Sequence, residues 1–210
     1  MQTTGQLRPA IDLHVHTGRY SQCAELVDPY QIEEFAARAG LAGVVITEHD
    51  IFWQDEEIEL LRSSSSLVIF FRGIEVSARG CHLVVIGLSE AALLTNGMPL
   101  EEVSAIASDQ GAAVVLAHPY RDADPSRLPV GLVDAVEVGS TSFTKQEAAQ
   151  ARRLARKAKK PTVASSDGHA LSRVGWAWTE FPRMPRDERE LARMIRAGEG
   201  RPVIPNPFPA

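Results

Sequence analysis

Short runs of apolar, often β-branched residues alternate along the chain with longer stretches whose apolar positions recur at helical spacing. The short runs predict strands at Ala10–His14, Gly43–Thr47, Leu67–Phe71, His82–Gly87, Ala113–Ala117, Ala135–Val138 and Thr162–Ser165. The longer stretches predict helices at Pro29–Ala39, Asp55–Arg62, Leu100–Gln110, Thr144–Ala158 and Arg186–Ala197. Pro29 suits a first helical turn, and Gly40 and Gly111 suit helix ends. Strands that are apolar throughout are buried on both faces, as in a parallel sheet covered by helices. The alternation therefore predicts an α/β architecture with parallel strands. One small barrel formed by the whole chain, 1–210, fits it better than two domains. Residues 1–9 are a polar lead, and the Pro-rich tail 201–210 reads as an extended end on the surface. Ser63–Ser66 reads as a solvated turn. Trp176 and Trp178 alternate in a further candidate edge strand, where core packing is the expected role.

Composition narrows the function classes. Hydrophobic residues make up 44% of the 210 and charged residues 23%, the balance of an ordinary globular chain. A net charge of -5 argues against charge-driven binding to duplex nucleic acid, so no duplex partner is expected. The basic run from Arg152 to Lys160 reads instead as a solvated helix end, where cations are favoured. Two cysteines, Cys23 and Cys81, make no disulfide framework and suit a reducing cytoplasm. No apolar run is long enough to span a membrane, and the first residues lack the apolar stretch of a signal peptide.

The chemistry lies in the six histidines. His14, His16, His49, His118 and His169 fall at or just beyond predicted strand ends, and His82 begins a strand. Glu75 and Asp167 occupy similar positions. In parallel α/β folds ligands bind at the carboxyl ends of strands, so these segments should converge on one rim. His14 and His16 are two apart on a strand and share a face. Alternating histidines can also simply line a half-buried surface, and a lone histidine at a strand end is more often a hydrogen-bonded filler. Six such positions with none left over favour a metal site. Histidine and carboxylate donors suit zinc, manganese or iron. Asp12 and Thr17 are candidates to orient the imidazoles. Glu137 and Ser140 end another strand, where facing the site and having no role there are equally open readings.

The ordered set H-x-H, T-x-H, G-x-E, H-L, A-H-P and D-x-H resembles the PHP family (polymerase and histidinol phosphatase domains), and does so from Ile11 to His169. The resemblance implies a distorted (β/α)7 barrel with two or three divalent ions at the C-terminal rim, and phosphoesterase activity. Carried over by motif, it implies one ion on His14, His16, Glu75 and Asp167. It places a second on Glu75, His82 and His118, and a third on His49 and His169. The family usually adds an Asp or His to that third site shortly after H-x-H. Here the stretch is Gly18–Cys23, with Gln22 and Cys23 in place of that ligand.

The expected function is hydrolysis of a small phosphate ester or nucleotide by a metal-activated water, with a short oligonucleotide as a variant. Asp167 and His169 are the candidate catalytic residues for proton transfer. Arg19, Arg121 and Arg173 sit on predicted rim loops where they could grip phosphate; a solvated loop role is equally open for each. Two alternatives remain: a metal-bound scaffold without turnover, and hydrolysis of a non-phosphate bond.

Overall fold

The computed structural model describes residues 8–91, 94–121 and 124–205. Among these residues nine strands form one sheet: β1 Ala10–Val15, β2 Gly43–Ile46, β3 Ile69–Ala78, β4 Cys81–Ile86, β5 Ala113–Ala117, β6 Ala135–Glu137, β7 Thr162–Val163, β8 Trp178–Glu180 and β9 Arg201–Val203. The order across the sheet is β7-β6-β5-β4-β3-β2-β1-β8-β9. The two ends approach each other, since β9 packs against β7. The Thr179 hydroxyl on β8 also donates to Ala164 O at 2.8 Å and accepts from Ala164 N at 3.0 Å. The result is a nearly closed barrel.

Among the described residues five helices cover it: α1 Ile32–Arg38, α2 Asp55–Ser64, α3 Leu100–Asp109, α4 Lys145–Ala158 and α5 Glu188–Arg196. All five correspond to the helices the periodicity predicts. Pro29 opens a single 3-10 turn, Pro29–Gln31, that leads into α1. Thr144 caps α4, accepting from Glu147 N at 3.2 Å while Glu147 accepts from Thr144 N at 2.7 Å. Helix α5 packs Leu191, Ala192, Met194 and Ile195 against β3, β4 and β5, near the starts of the parallel strands. Each of its three large side chains contributes about 2 kcal/mol of burial. The end of the barrel opposite the rim is thereby closed.

The sheet departs from the expected parallel arrangement. β1, β2 and β3 run parallel, as do β5, β6 and β7. β4, however, is antiparallel to both neighbours. Only Arg79 and Gly80 separate β3 from β4, far too few residues for a crossover helix. Gly80 takes a φ of +78° in this turn. The hairpin is hidden in the sequence because β3 runs on to Ala78 rather than stopping at Phe71. Gly73 lies inside β3. A Cβ there would come within 3.1 Å of Val45 Cγ1 and Val85 O, so the glycine permits a close approach of neighbouring strands.

The C-terminal expectations also change. Trp178 belongs to β8, which is covered on its outer side by β9 and so is not an edge. Trp178 does pack into the core beneath α1. The start of the Pro-rich tail, Arg201–Val203, is strand β9 rather than a loose end. Residues 1–7 of the lead and 206–210 of the tail lie outside the described residues. Within Ser63–Ser66, two serines finish α2, while Ser65 Oγ donates to Glu33 at 2.8 Å. No helix among the described residues is long and apolar enough to cross a membrane.

Candidate metal centre

All eight residues singled out as ligands meet at one rim. Backbone pairing explains how. β1 continues past its end to pair with the segment after β7: His16 N donates to Gly168 O at 3.0 Å, and Gly168 N donates to His14 O at 3.2 Å. H-x-H and D-x-H are thus stitched together although 150 residues apart. Likewise Glu75 N donates to Glu48 O, and Asp50 N to Glu75 O, which fixes Glu75 beside His49. His82 reaches the rim because β4 is reversed, so its first residues lie where the parallel strands end.

Glu75 is the hub. It is fully buried. Its Oε1 lies 2.9 Å from His82 Nδ1 and 2.9 Å from His118 Nε2. Its Oε2 lies 3.3 Å from His14 Nε2, 3.2 Å from His16 Nε2 and 2.9 Å from His49 Nδ1. Asp167 Oδ1 stands opposite, 3.5 Å from His14 Nε2 and 3.4 Å from His16 Nε2. His14 Nε2 and His16 Nε2 are themselves 3.0 Å apart. The His14, His16 and Glu75 donors, 3.0–3.3 Å from one another, are close enough to share an ion with bonds of about 2.0–2.2 Å. His16, His49 and His169 form a further group whose ring nitrogens lie within 4.8 Å of one another. Cys23 does not join that group, and Gln22 is exposed. Cys23 is exposed in the 3-10 turn Gln22–Ala24.

Buried Glu75 Oε2 and Asp167 Oδ1 have no hydrogen-bond donor among the described residues. Buried carboxylate oxygens are costly without a cation or donor. Unsatisfied acceptors facing converging imidazole nitrogens fit a divalent metal.

The charges respond to this crowding. Burial alone would lower the His14 pKa, but the Glu75 and Asp167 carboxylates outweigh it and hold it well above the ordinary value. His16 is raised in the same way, against burial, by the Asp167 and Glu75 carboxylates beside it. Burial would raise Glu75 and Asp167, but the surrounding imidazoles push both down. His169 is lowered by burial and by repulsion from His16.

Backbone strain concentrates on the same rim. His118, Asp167, Asp50 and Tyr120 have φ values of 23°, 52°, 54° and 82°. Non-glycine residues in this region persist where surrounding contacts enforce them, typically at functional sites. Asp50 illustrates the enforcement: its carboxylate accepts from Ser77 N at 2.8 Å and Asn96 Nδ2 at 3.0 Å.

The predicted supporting residues divide. Asp12 does not touch an imidazole. Its carboxylate accepts from the backbone N–H of Ser166 at 2.8 Å and Gly175 at 2.9 Å, so it holds the loop that carries Asp167. Burial pushes its pKa up to about 6 despite those bonds. Glu137 does face the centre: it lies 3.7 Å from His14 Nδ1 and accepts from His118 N at 2.7 Å. Arg121 also reaches it, 3.1 Å from Asp167 Oδ2 and 2.9 Å from Ser142 Oγ. Arg19 is tied to Glu57, with its guanidinium 5.3 Å from the Trp53 ring and 5.6 Å from the Tyr20 ring. Arg173 is exposed in the 3-10 turn after His169, with no ion-pair partner among the described residues.

Glu48 escapes a sequence reading. It alternates with Thr47 and His49 and would be assigned the face away from the ligands. Instead it is fully buried. It accepts from Thr17 N at 3.2 Å and Trp53 Nε1 at 3.2 Å, and from the hydroxyls of Thr17 and Ser21. Ser21 Oγ in turn lies 3.4 Å from His16 Nδ1. This chain orients His16 from behind. Glu48→Gln, which keeps the size but not the charge, is expected to weaken metal affinity about tenfold with the fold retained. Competition with a chelator measures this, and unchanged affinity would mean His16 is positioned by other contacts. Ser142, whose hydroxyl donates to Asp167 Oδ2, also carries no sequence signal.

The fold and the rim define a class: mixed α/β barrels that gather histidines and carboxylates for divalent metals at one end. Residues 146–199 match the family described as PHP-associated. That segment is about a quarter of the chain. Comparison with curated proteins finds no match.

Solved structures share the fold. A putative metal-dependent phosphoesterase from Bifidobacterium adolescentis is 15% identical, with a TM-score of 0.60 over 90% of this chain and 98% of that one. An amidohydrolase from Chromobacterium violaceum, holding sulfate and no metal, is 18% identical, with a TM-score of 0.65 over 93% and 98%. The lesion-specific endonuclease Q from Pyrococcus furiosus is 17% identical, with a TM-score of 0.65 over 93% of this chain but only 58% of that one. Endonuclease Q has also been solved with a 27-mer duplex bearing an abasic lesion at its active site. That finding overturns the expectation that duplex nucleic acid is excluded. Net charge is an average over the chain, whereas a duplex is gripped by a local surface. Here Arg152, Arg153, Arg156, Lys157, Lys159 and Lys160 cluster on and just after α4 with no ion-pair partner among the described residues.

Proposed function

We propose that the chain is a metal-dependent phosphoesterase acting on a small phosphate ester or nucleotide. The observation that carries this reading is the pair of unsatisfied buried oxygens, Glu75 Oε2 and Asp167 Oδ1, facing the converging imidazoles. His14, His16, Glu75 and Asp167 would hold one ion. Glu75, His82 and His118 would hold a second, and His49 and His169, converging with His16, a third. Bound divalent ions supply an acidified water and neutralise the charge that develops on a phosphoryl group.

The chain's own residues supply the rest. Glu75 holds both clusters at a fixed separation. Arg121 is the cation placed to meet a phosphoryl oxygen, because Asp167 and Ser142 aim it at the centre. Arg19 and Arg173 stand further out, Arg19 already committed to Glu57. Asp167 and His169 are the candidates for the proton, and they sit together: His169 Nδ1 lies 3.1 Å from Asp167 O and 3.4 Å from Asp167 Oδ1. Asp167 serves as ligand and as the anchor for Arg121.

The neighbours bear on the reaction in two directions. A phosphoesterase and an endonuclease on this fold favour phosphate esters. The amidohydrolase keeps amide hydrolysis as the second reading, although its bound sulfate is a tetrahedral anion like phosphate. The test is a panel of phosphomonoesters, phosphodiesters, abasic duplex and amides, run on protein reconstituted with zinc, manganese or iron. Asp167→Ala should lose at least about a thousandfold in kcat/KM on the active substrate, with circular dichroism unchanged. Retained activity in that variant rejects the assignment. Turnover of amides alone selects the second reading. Tight metal binding without any turnover leaves a scaffold.

A further inference from the structure

A partly enclosed pocket lies directly beside His82 and His118. Its volume is about 170 Å³. Apart from the two imidazoles its walls are apolar or uncharged, with Ala78 and Cys81 on one side and Leu116 and Leu128 on the other. No Asp, Glu, Lys or Arg lines it among the described residues. Such a pocket has no means of holding a charged or polyhydroxylated group, and burial there rewards an apolar one. A cavity of about 150 Å³ lined by aliphatic side chains accepts a benzene ring. The present volume therefore matches one six-membered ring or a branched alkyl group of that size.

The opposite flank of the centre differs. Beside His49 lies a larger, open cavity of about 660 Å³ lined by Asp50, Asp55, Glu56 and Glu90, with Arg72 paired to Asp55. That surface would repel a second anionic group. The two flanks thus assign directions to a bound ester: the phosphoryl group at the centre near Arg121, and the alcohol portion toward His82 and His118.

We propose that this pocket is the leaving-group subsite, and that the preferred substrate is a phosphate monoester of an alcohol bearing a single ring-sized apolar group. The inference rests on the phosphoesterase reading for its chemistry, but the pocket can be tested apart from turnover. Benzyl phosphate and ethyl phosphate release alcohols of similar acidity, so their comparison isolates the pocket. The wild-type, metal-loaded protein should show a KM for benzyl phosphate at least about tenfold below that for ethyl phosphate. Leu128 lies half-buried on a loop, so Leu128→Trp fills the pocket without disturbing a strand. That variant should raise the benzyl phosphate KM about tenfold, a much larger loss than for ethyl phosphate, and so abolish the preference between the two esters. Leu128→Ala should tolerate a larger ring. Equal KM values for the two esters in the wild type, or an equal loss for both in Leu128→Trp, would overturn the proposal. If neither ester is hydrolysed, the phosphoesterase reading fails, and calorimetry with benzylphosphonate and ethylphosphonate still decides the pocket. A benzyl preference abolished by Leu128→Trp supports it, and equal binding overturns it.

Discussion

Glu75→Ala is expected to abolish turnover, lowering kcat/KM by at least about a thousandfold, and to cut metal content to at most one ion per chain. The reason is geometric. His14, His16, His49, His82 and His118 all lie within 3.3 Å of one carboxylate. Asp167 also touches both clusters but stands 4.0 Å from His118 Nε2, so removing Glu75 leaves the remaining donors short of a full set. Fold retention is expected, because Glu75 N still pairs with Glu48 O and β3 keeps its neighbours. Metal analysis by mass spectrometry, with circular dichroism as control, checks this. Two ions bound to the variant would show that the clusters fill independently and that Glu75 is not the bridge.

Metal uptake should release protons and weaken steeply in acid. His14 and His16 have pKa values above the ordinary 6.5, which means the metal-free fold favours their protonated forms. Their contribution to metal-free stability is complete below 6.5 and is lost as pH rises through the raised values. An ion needs both rings neutral, so loading runs the other way and improves over that same interval. With two protons displaced, affinity should change by up to about a hundredfold per pH unit. Glu75 and Asp167 do not oppose this at neutral pH, since their depressed values leave both ionised. Calorimetry in buffers of different ionisation enthalpy counts the protons. Release of none near pH 7 would refute the coupling.

The ligands were legible because metal chemistry accepts few residue types. Six histidines placed at strand boundaries, with Glu75 and Asp167 among them, read as one set before any fold is known. His82 was the exception, since it begins a strand instead of ending one. The reversed β4 resolves it: an antiparallel strand presents its first residues where its neighbours present their last. That reversal depends on a two-residue turn and on Gly73 lying inside a strand, and neither has a clear local signature. Arg121 and Arg19 looked alike as loop arginines. Only the positions of Ser142, Asp167 and Glu57 separate the one aimed at the centre from the one tied away from it.

Charge was the misleading feature. The -5 balance suggested no duplex partner, but a sum over 210 residues carries no information about where the unpaired cations sit. Glu48 shows the same gap at the scale of one residue. Strand alternation gives it the outer face, and the Thr17, Ser21 and Trp53 donors that bury it come from other segments.

By itself the sequence determined the alternation of strands and helices, the barrel class and the histidines and carboxylates that meet at one rim. Each of these follows from residue type and short-range periodicity. Tertiary structure alone decided the direction of β4, the pairing of β8 with β9, the clustering of donors around Glu75 and the apolar pocket beside His82 and His118. These depend on contacts between distant segments, whose geometry is set by packing and backbone pairing rather than by the residues next to them in the chain.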